Sequence, residues 1–165
     1  MQDINIYKGK LYVLVSSAYK VVNPLNPEDI VDMQDTTILT LDEHDKWEKK
    51  NRLPFPESNY TLLSEKEDLF AVGGGNYSIY KWDDKTQAFV SYGNCSRQGP
   101  EAVMIDGSMI LGGGNNGATA EESLPGVDIF RYRDDYEQYD LVSSVDFSEC
   151  VKSMRNQHYA VAKVD

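Results

Sequence analysis

A chain of 165 residues, 41% hydrophobic and 26% charged, has the length of one ordinary domain and a balance that excludes a disordered, collagen-like or membrane-spanning polymer. Its 16 Lys and Arg stand against 27 Asp and Glu, a formal charge of -11 that repels phosphate backbones and anionic lipid, so neither nucleic acid nor membrane is an expected partner. Two cysteines, Cys95 and Cys150, are too few for a disulfide framework and too far apart for a zinc ribbon or a CxxC pair. With no leader-like opening segment, they point to a cytoplasmic protein.

The first predicted elements are a strand from Ile4 to Tyr7, a reversal at Lys8 and Gly9, and an apolar run from Leu11 to Val15 that ends in Ser16 and Ser17. An insert around Ala18 to Asp35, expected as a loop, precedes an alternating stretch that reaches Leu41, Asp42 and then Trp47. The charged segment Asp42 to Lys50 also admits a helix. A second copy of the layout follows: a strand from Tyr60 to Leu63, a turn from Glu65 to Asp68, the run Leu69 to Val72 and the triplet Gly73 to Gly75. Trp82 and its Asp83-Asp84-Lys85 turn then lead to Phe89, seven positions on. The third copy has a strand from Ala102 to Ile105, a turn at Asp106 and Gly107, the run Met109 to Leu111 and the triplet Gly112 to Gly114. Tyr132 leads through Arg133 to Tyr139, again seven positions on. A last candidate strand spans Gln157 to Val164.

Each copy reads as strand, tight turn, strand, glycine break, strand, Asp-rich turn and strand, which is a four-stranded antiparallel meander. The second and third copies repeat at a spacing of about 40 residues, as the blades of a propeller do. Glycine pairs after a buried strand, Gly73 with Gly74 and Gly112 with Gly113, permit positive φ and close approach of a neighbouring backbone. The aromatics Trp47, Trp82, Phe89, Tyr132 and Tyr139 read as anchors across strands or between layers. The expected fold is therefore all-β: blade 1 over about 4–52, blade 2 over about 58–92, blade 3 over about 101–143, and the first strand of a fourth at about 157–164.

At these residues the chain resembles the kelch-repeat family. Leu69 to Gly74, then Trp82 Asp83 and Phe89, are similar to its hydrophobic run, double glycine, aromatic-Asp pair and downstream Trp. Gly112, Gly113, Tyr132 and Tyr139 repeat the pattern, and Met154 to Val161 resembles the opening of another blade. Val15 and Ser16 depart from it, as does Arg133. Closed propellers use about four to eight blades, so this is expected to be half of a six-bladed ring, completed by a second copy of the chain or by blades outside it.

The chemistry-bearing residues form no catalytic constellation. Gly112 to Gly117 matches GxGxxG, yet Ala118 to Leu124 is too short for the helix that a dinucleotide site requires. His44 and His158 have no motif around them, and Cys95, beside Ser96 and Arg97, reads as an ordinary loop thiol. Asp83 with Asp84 and Asp134 with Asp135 read as solvated turns rather than calcium ligands. No cofactor, metal or enzymatic activity is expected. The acceptor triplets at Asn59, Asn76 and Asn94 matter only in a secreted protein.

The loops expected on one face are Ser16 to Asp35, Gly74 to Tyr77, Gly113 to Gly126, Lys49 to Asn59, Ser91 to Pro100 and Asp146 to Arg155. The resemblance implies that this face binds a segment of a partner protein, in the family's most frequent context as substrate recognition for a cullin-based ubiquitin ligase. The residues expected to contact it are Arg52, Tyr77, Arg97, Asn115, Asn116 and Arg155. Alternatives that the resemblance leaves open are an actin-binding propeller and a small-molecule enzyme of sugar-isomerase or copper-oxidase type.

Overall fold

The structure is a computed structural model that describes residues 3–52, 59–116 and 124–149. Predicted residues Arg155, Cys150 and His158 and the strand 157–164 lie outside them, as does most of Ala118 to Leu124. Arg52 is placed by its backbone alone.

Twelve strands and no helix are described. The first unit is a four-stranded antiparallel sheet of β1 (Asp3–Tyr7), β2 (Lys10–Asn23), β3 (Asn26–Leu41) and β4 (Trp47–Arg52). The second holds β5 (Tyr60–Glu65), β6 (Asp68–Gly73), β7 (Ser78–Asp83) and β8 (Ala88–Asn94). The third holds β9 (Glu101–Ile105), β10 (Ser108–Gly112), β11 (Val127–Arg133) and β12 (Gln138–Val145). Hydrogen bonding joins the second and third into one eight-stranded sheet, β5-β6-β7-β8-β12-β11-β10-β9, through a single parallel pair, Tyr139 with Gly93. A Cβ on Gly93, whose φ is 138°, would stand 2.6 Å from the Tyr139 carbonyl oxygen, so this contact requires glycine.

The turns follow from their residues. Lys8 and Gly9, and likewise Asp106 and Gly107, both take positive φ, the two-residue turn that matches the twist of a hairpin. At the Asp-led reversals a carboxylate does the work: Asp42 Oδ1 accepts from the Lys46 amide at 2.9 Å, and Asp83 Oδ1 from the Lys85 amide at 3.0 Å. The side chain thus closes the loop on its own backbone. In the third unit Arg133 holds that position and forks onto Asp135 at 3.0 and 2.7 Å.

The units pack face to face. Leu14, Ile38 and Tyr12 of the first unit meet Leu62, Leu69, Ala71 and Trp82 of the second. The opposite face of the second, with Phe70, Val72 and Ile79, meets Met104, Met109 and Phe130 of the third. Strand alternation makes this possible, since successive side chains of β6 enter opposite seams. The innermost strands are also tied by polar contacts: Asp3 accepts from the Leu62 amide at 2.6 Å, and the Asn5 side-chain amide donates to the Leu62 carbonyl at 3.1 Å.

One expectation is corrected and one alternative reading is set aside. The insert is not a loop: β2 and β3 stay paired from Ser16 with Thr36 to Val22 with Ile30, a two-stranded ribbon that runs about 25 Å beyond its sheet at ordinary strand rise. The β-branched and aromatic residues Tyr19, Val21, Val22, Ile30 and Val31 favour strand over loop. The segment Asp42 to Lys50 is turn and strand rather than helix. In addition, β4 and β8 extend into the predicted loops Lys49 to Asn59 and Ser91 to Pro100.

Candidate functional site at the loop end of the second and third units

The strands of the second unit end at Gly73 and Gly74, with φ of 95° and 70°. A Cβ on Gly73 would stand 2.8 Å from the Pro100 ring, so the chain reverses there only without a side chain. In the third unit the left-handed pair is Gly113 and Gly114, while Gly112 still belongs to β10. These reversals place three loops side by side. The Asn59 carbonyl accepts from the amides of Gly74 and Gly99 at 3.0 and 2.8 Å, and Gln98 and Asn115 exchange backbone hydrogen bonds at 2.7 and 3.0 Å. The Tyr77 hydroxyl donates to the Asn116 carbonyl at 2.6 Å.

Arg97 is the centre of this arrangement, in a role other than the one expected. Its side chain turns inward and the residue is 4% exposed, so it does not offer its guanidinium to a partner. Nε donates to Asp128 Oδ2 at 2.7 Å and Nη1 to the Gly113 carbonyl at 2.8 Å. Asp128 also accepts from Ser96 at 3.0 Å and Ser144 at 2.6 Å. Burial raises the pKa of Asp128, but the bonds from Arg97, Ser144 and Ser96 and the guanidinium charge lower it more, leaving it below the usual carboxylate range. A buried ion pair satisfied on so many sides fixes geometry. Above it lies a cleft of about 400 Å³ bordered by Ser96, Asn116, Leu124, Pro125, Ser144 and Asp146.

The structure therefore brings Tyr77, Arg97, Asn115 and Asn116 together. Tyr77 and Asn115 are half-buried and Asn116 is exposed. Burial pushes the Cys95 thiol up from its ordinary pKa, the opposite of what a reactive thiolate requires. The Asn76 carboxamide donates to Ser78 at 2.9 Å and Tyr80 at 2.6 Å and accepts from Tyr60 at 2.8 Å, so a glycan on its nitrogen would displace donated bonds. Among the described residues no three His, Cys, Asp or Glu side chains are grouped to hold a metal ion.

Asp84, an exposed turn residue as expected, also joins two units at the opposite end. Its carboxylate accepts from Lys8 at 2.6 Å, Tyr7 at 3.1 Å and Trp82 at 2.9 Å, and Lys8 leads the contacts that hold its pKa down. Sequence reading misses Asp128, Ser96 and Ser144. An acidic residue inside an otherwise alternating apolar strand is the available signal for Asp128.

Aromatic pairs recur across β7–β8 and β11–β12: Trp82 with Phe89 at 5.2 Å and Tyr132 with Tyr139 at 5.5 Å between ring centroids. Trp47 breaks this pattern, being 56% exposed rather than an anchor within the described residues.

No protein-family model matches the chain, and no curated protein does. A solved structure described as "Structure of YjhT" superposes with a TM-score of 0.60 at 11% identity, covering 86% of this chain and 51% of that one. The chain thus spans about half the length of the structure it matches, and the likeness is one of fold: all-β and propeller-like.

Proposed function

We propose that this chain is a three-bladed segment of a kelch-type propeller and that it works as a non-enzymatic protein-interaction module, its loop end taking up a segment of a partner protein. The observation that carries this reading is the loop cluster of Tyr77, Asn115 and Asn116 beside a polar-edged cleft, held by the buried Arg97–Asp128 pair. Loops pinned to a rigid scaffold keep a binding surface in one shape and limit the ordering entropy of association. The ribbon adds apolar surface at the loop end of its own sheet, with Tyr19, Val21, Val31 and Met33 all exposed. Both features suit a partner that offers apolar side chains and backbone amide groups.

The test is capture of partners by the full chain, with contact sites mapped by crosslinking. The double variant Tyr77→Ala, Asn116→Ala is expected to lose a partner that Lys85→Ala, at the opposite end, retains. Capture indifferent to the loop variant would sink the reading. So would a rise in melting temperature with a monosaccharide or Cu2+, which would favour an enzyme on the same scaffold.

A further inference from the structure

The outward faces of the first and third units carry the same classes of residue that form the two internal seams. Aligned on their hairpin turns, Ile4, Leu11 and Val13 of the first unit fall where Leu62, Leu69 and Ala71 of the second pack against the first. Ala102, Met109 and Leu111 of the third occupy the same places against the second. The cross-strand pair Leu41 and Trp47 falls at the position of Trp82 with Phe89 and of Tyr132 with Tyr139. In each of the later units this pair packs on the unit before it. The first unit has no such neighbour among the described residues; on its outward face Ile4 and Ile6 are 48% and 66% exposed, while Val13 and Thr37 at its centre are 6% and 8% exposed. At the other end, Val103 and Ile110 take the places of Leu63 and Phe70, on the face of the third unit turned away from the second.

We propose that two copies of this chain close a six-bladed ring, the outward face of the first unit in each copy packing on the outward face of the third unit in the other. This rests on the three-blade reading above. The packing mode is the one the chain already uses twice, and a second copy matches in size the portion of the YjhT structure that lies outside the 51% matched here. Two unlike faces used reciprocally close a ring about a two-fold axis and leave no face open, whereas like faces would leave two uncovered. Closure also completes the loop end. Tyr19, Val21, Met33 and Val31 lie on the same face of β2 and β3 as Val13 and Leu39, so the ribbon of one copy stands toward the third unit of the other, where it walls the cleft bordered by Leu124 and Ser144.

The experiment is the solution mass of the full chain by sedimentation equilibrium. The expected result is twice 18.6 kDa, with association strengthened by added salt, which screens the repulsion between two chains of formal charge -11. Ile6→Lys on one face and Ile110→Lys on the other each give a monomer. Mixing the two variants restores a dimer, because one seam then joins two unaltered faces. If Ile110→Lys loses cooperative unfolding, Val145→Lys, at an exposed position on the same face, replaces it. A monomeric parent chain overturns the ring, as does a dimer indifferent to either substitution. A monomer destabilised by Ile110→Lys would assign that face to the chain's own residues 150–165. In a monomer that still loses its partner on Tyr77→Ala, the ring fails while the binding reading stands.

Discussion

The second unit is covered on both faces, whereas the first has one face in a seam and the other open along β1, the ribbon and Trp47, and the difference is legible in what each asks of its side chains. In β6 every residue from Leu69 to Val72 is buried, because odd and even positions enter different seams. In β2 Tyr12, Val13 and Leu14 are all buried before the strand runs on into an exposed ribbon, and the alternation falls on β1, where Ile4 and Ile6 are exposed and Tyr7 is buried. A strand between two layers reads as a continuous apolar run, whereas β1, with Ile4 and Ile6 turned outward between Asp3, Asn5 and Tyr7, alternates as a strand covered on one face does. The comparison locates the stability of the molecule in its middle unit and its adaptable surface in the first.

The largest expected effect is at the centre of that contrast. Phe70 is 1% exposed and meets Tyr139 edge-on at 5.6 Å between centroids. Phe70→Ala is expected to lower unfolding free energy by about 3–5 kcal/mol, while Ile6→Ala shifts the monomer by less than about 0.5 kcal/mol. Urea unfolding of both separates the two units' contributions, and equal losses would break the comparison.

Arg97→Met comes next. It leaves Asp128 buried beside two serines with no counter-charge, and loss of one partner of a buried pair costs about 3–5 kcal/mol. The pH dependence follows in sign: Asp128 is held below its unfolded pKa, so its contribution is present above the ordinary carboxylate value of about 4 and is lost as pH falls through the folded value. Arg97→Met is expected to flatten that part of the acid limb in unfolding curves taken between neutral and acid pH. An unchanged limb would mean that the pair contributes nothing to acid stability.

Much of the meander is readable because its punctuation is local. Lys8-Gly9, Asp106-Gly107 and the Asp-led turns state their geometry in the residues themselves. The seven-residue spacing from Trp82 to Phe89 and from Tyr132 to Tyr139 is the length of one hairpin turn between cross-strand partners. The ribbon is harder to read, because its pairing depends on the partner strand as much as on its own pattern, and Asn-Pro steps at Asn23-Pro24 and Asn26-Pro27 resemble a loop. Arg97 reads as a surface residue for a related reason. A guanidinium beside Ser96 in a polar stretch gives no sign that Asp128, in another unit, will be buried beneath it.

The smallest stability effect belongs to the ribbon and gives the comparison its sharpest form. Val21 and Val31 are cross-strand partners with 44% and 48% of their surface exposed, so Val21→Thr with Val31→Thr keeps β-branched side chains in a paired strand and removes mainly apolar contact area. Unfolding of the isolated chain is expected to change by less than about 0.5 kcal/mol, and circular dichroism to stay the same. The variant is nevertheless expected to weaken self-association, because its face continues the outward seam of the first unit. A loss of stability comparable to Phe70→Ala would show that the ribbon already packs on its own chain and is no free surface. An intact dimer with unchanged affinity would confine the seam to the sheet proper, at Ile4, Ile6 and Trp47.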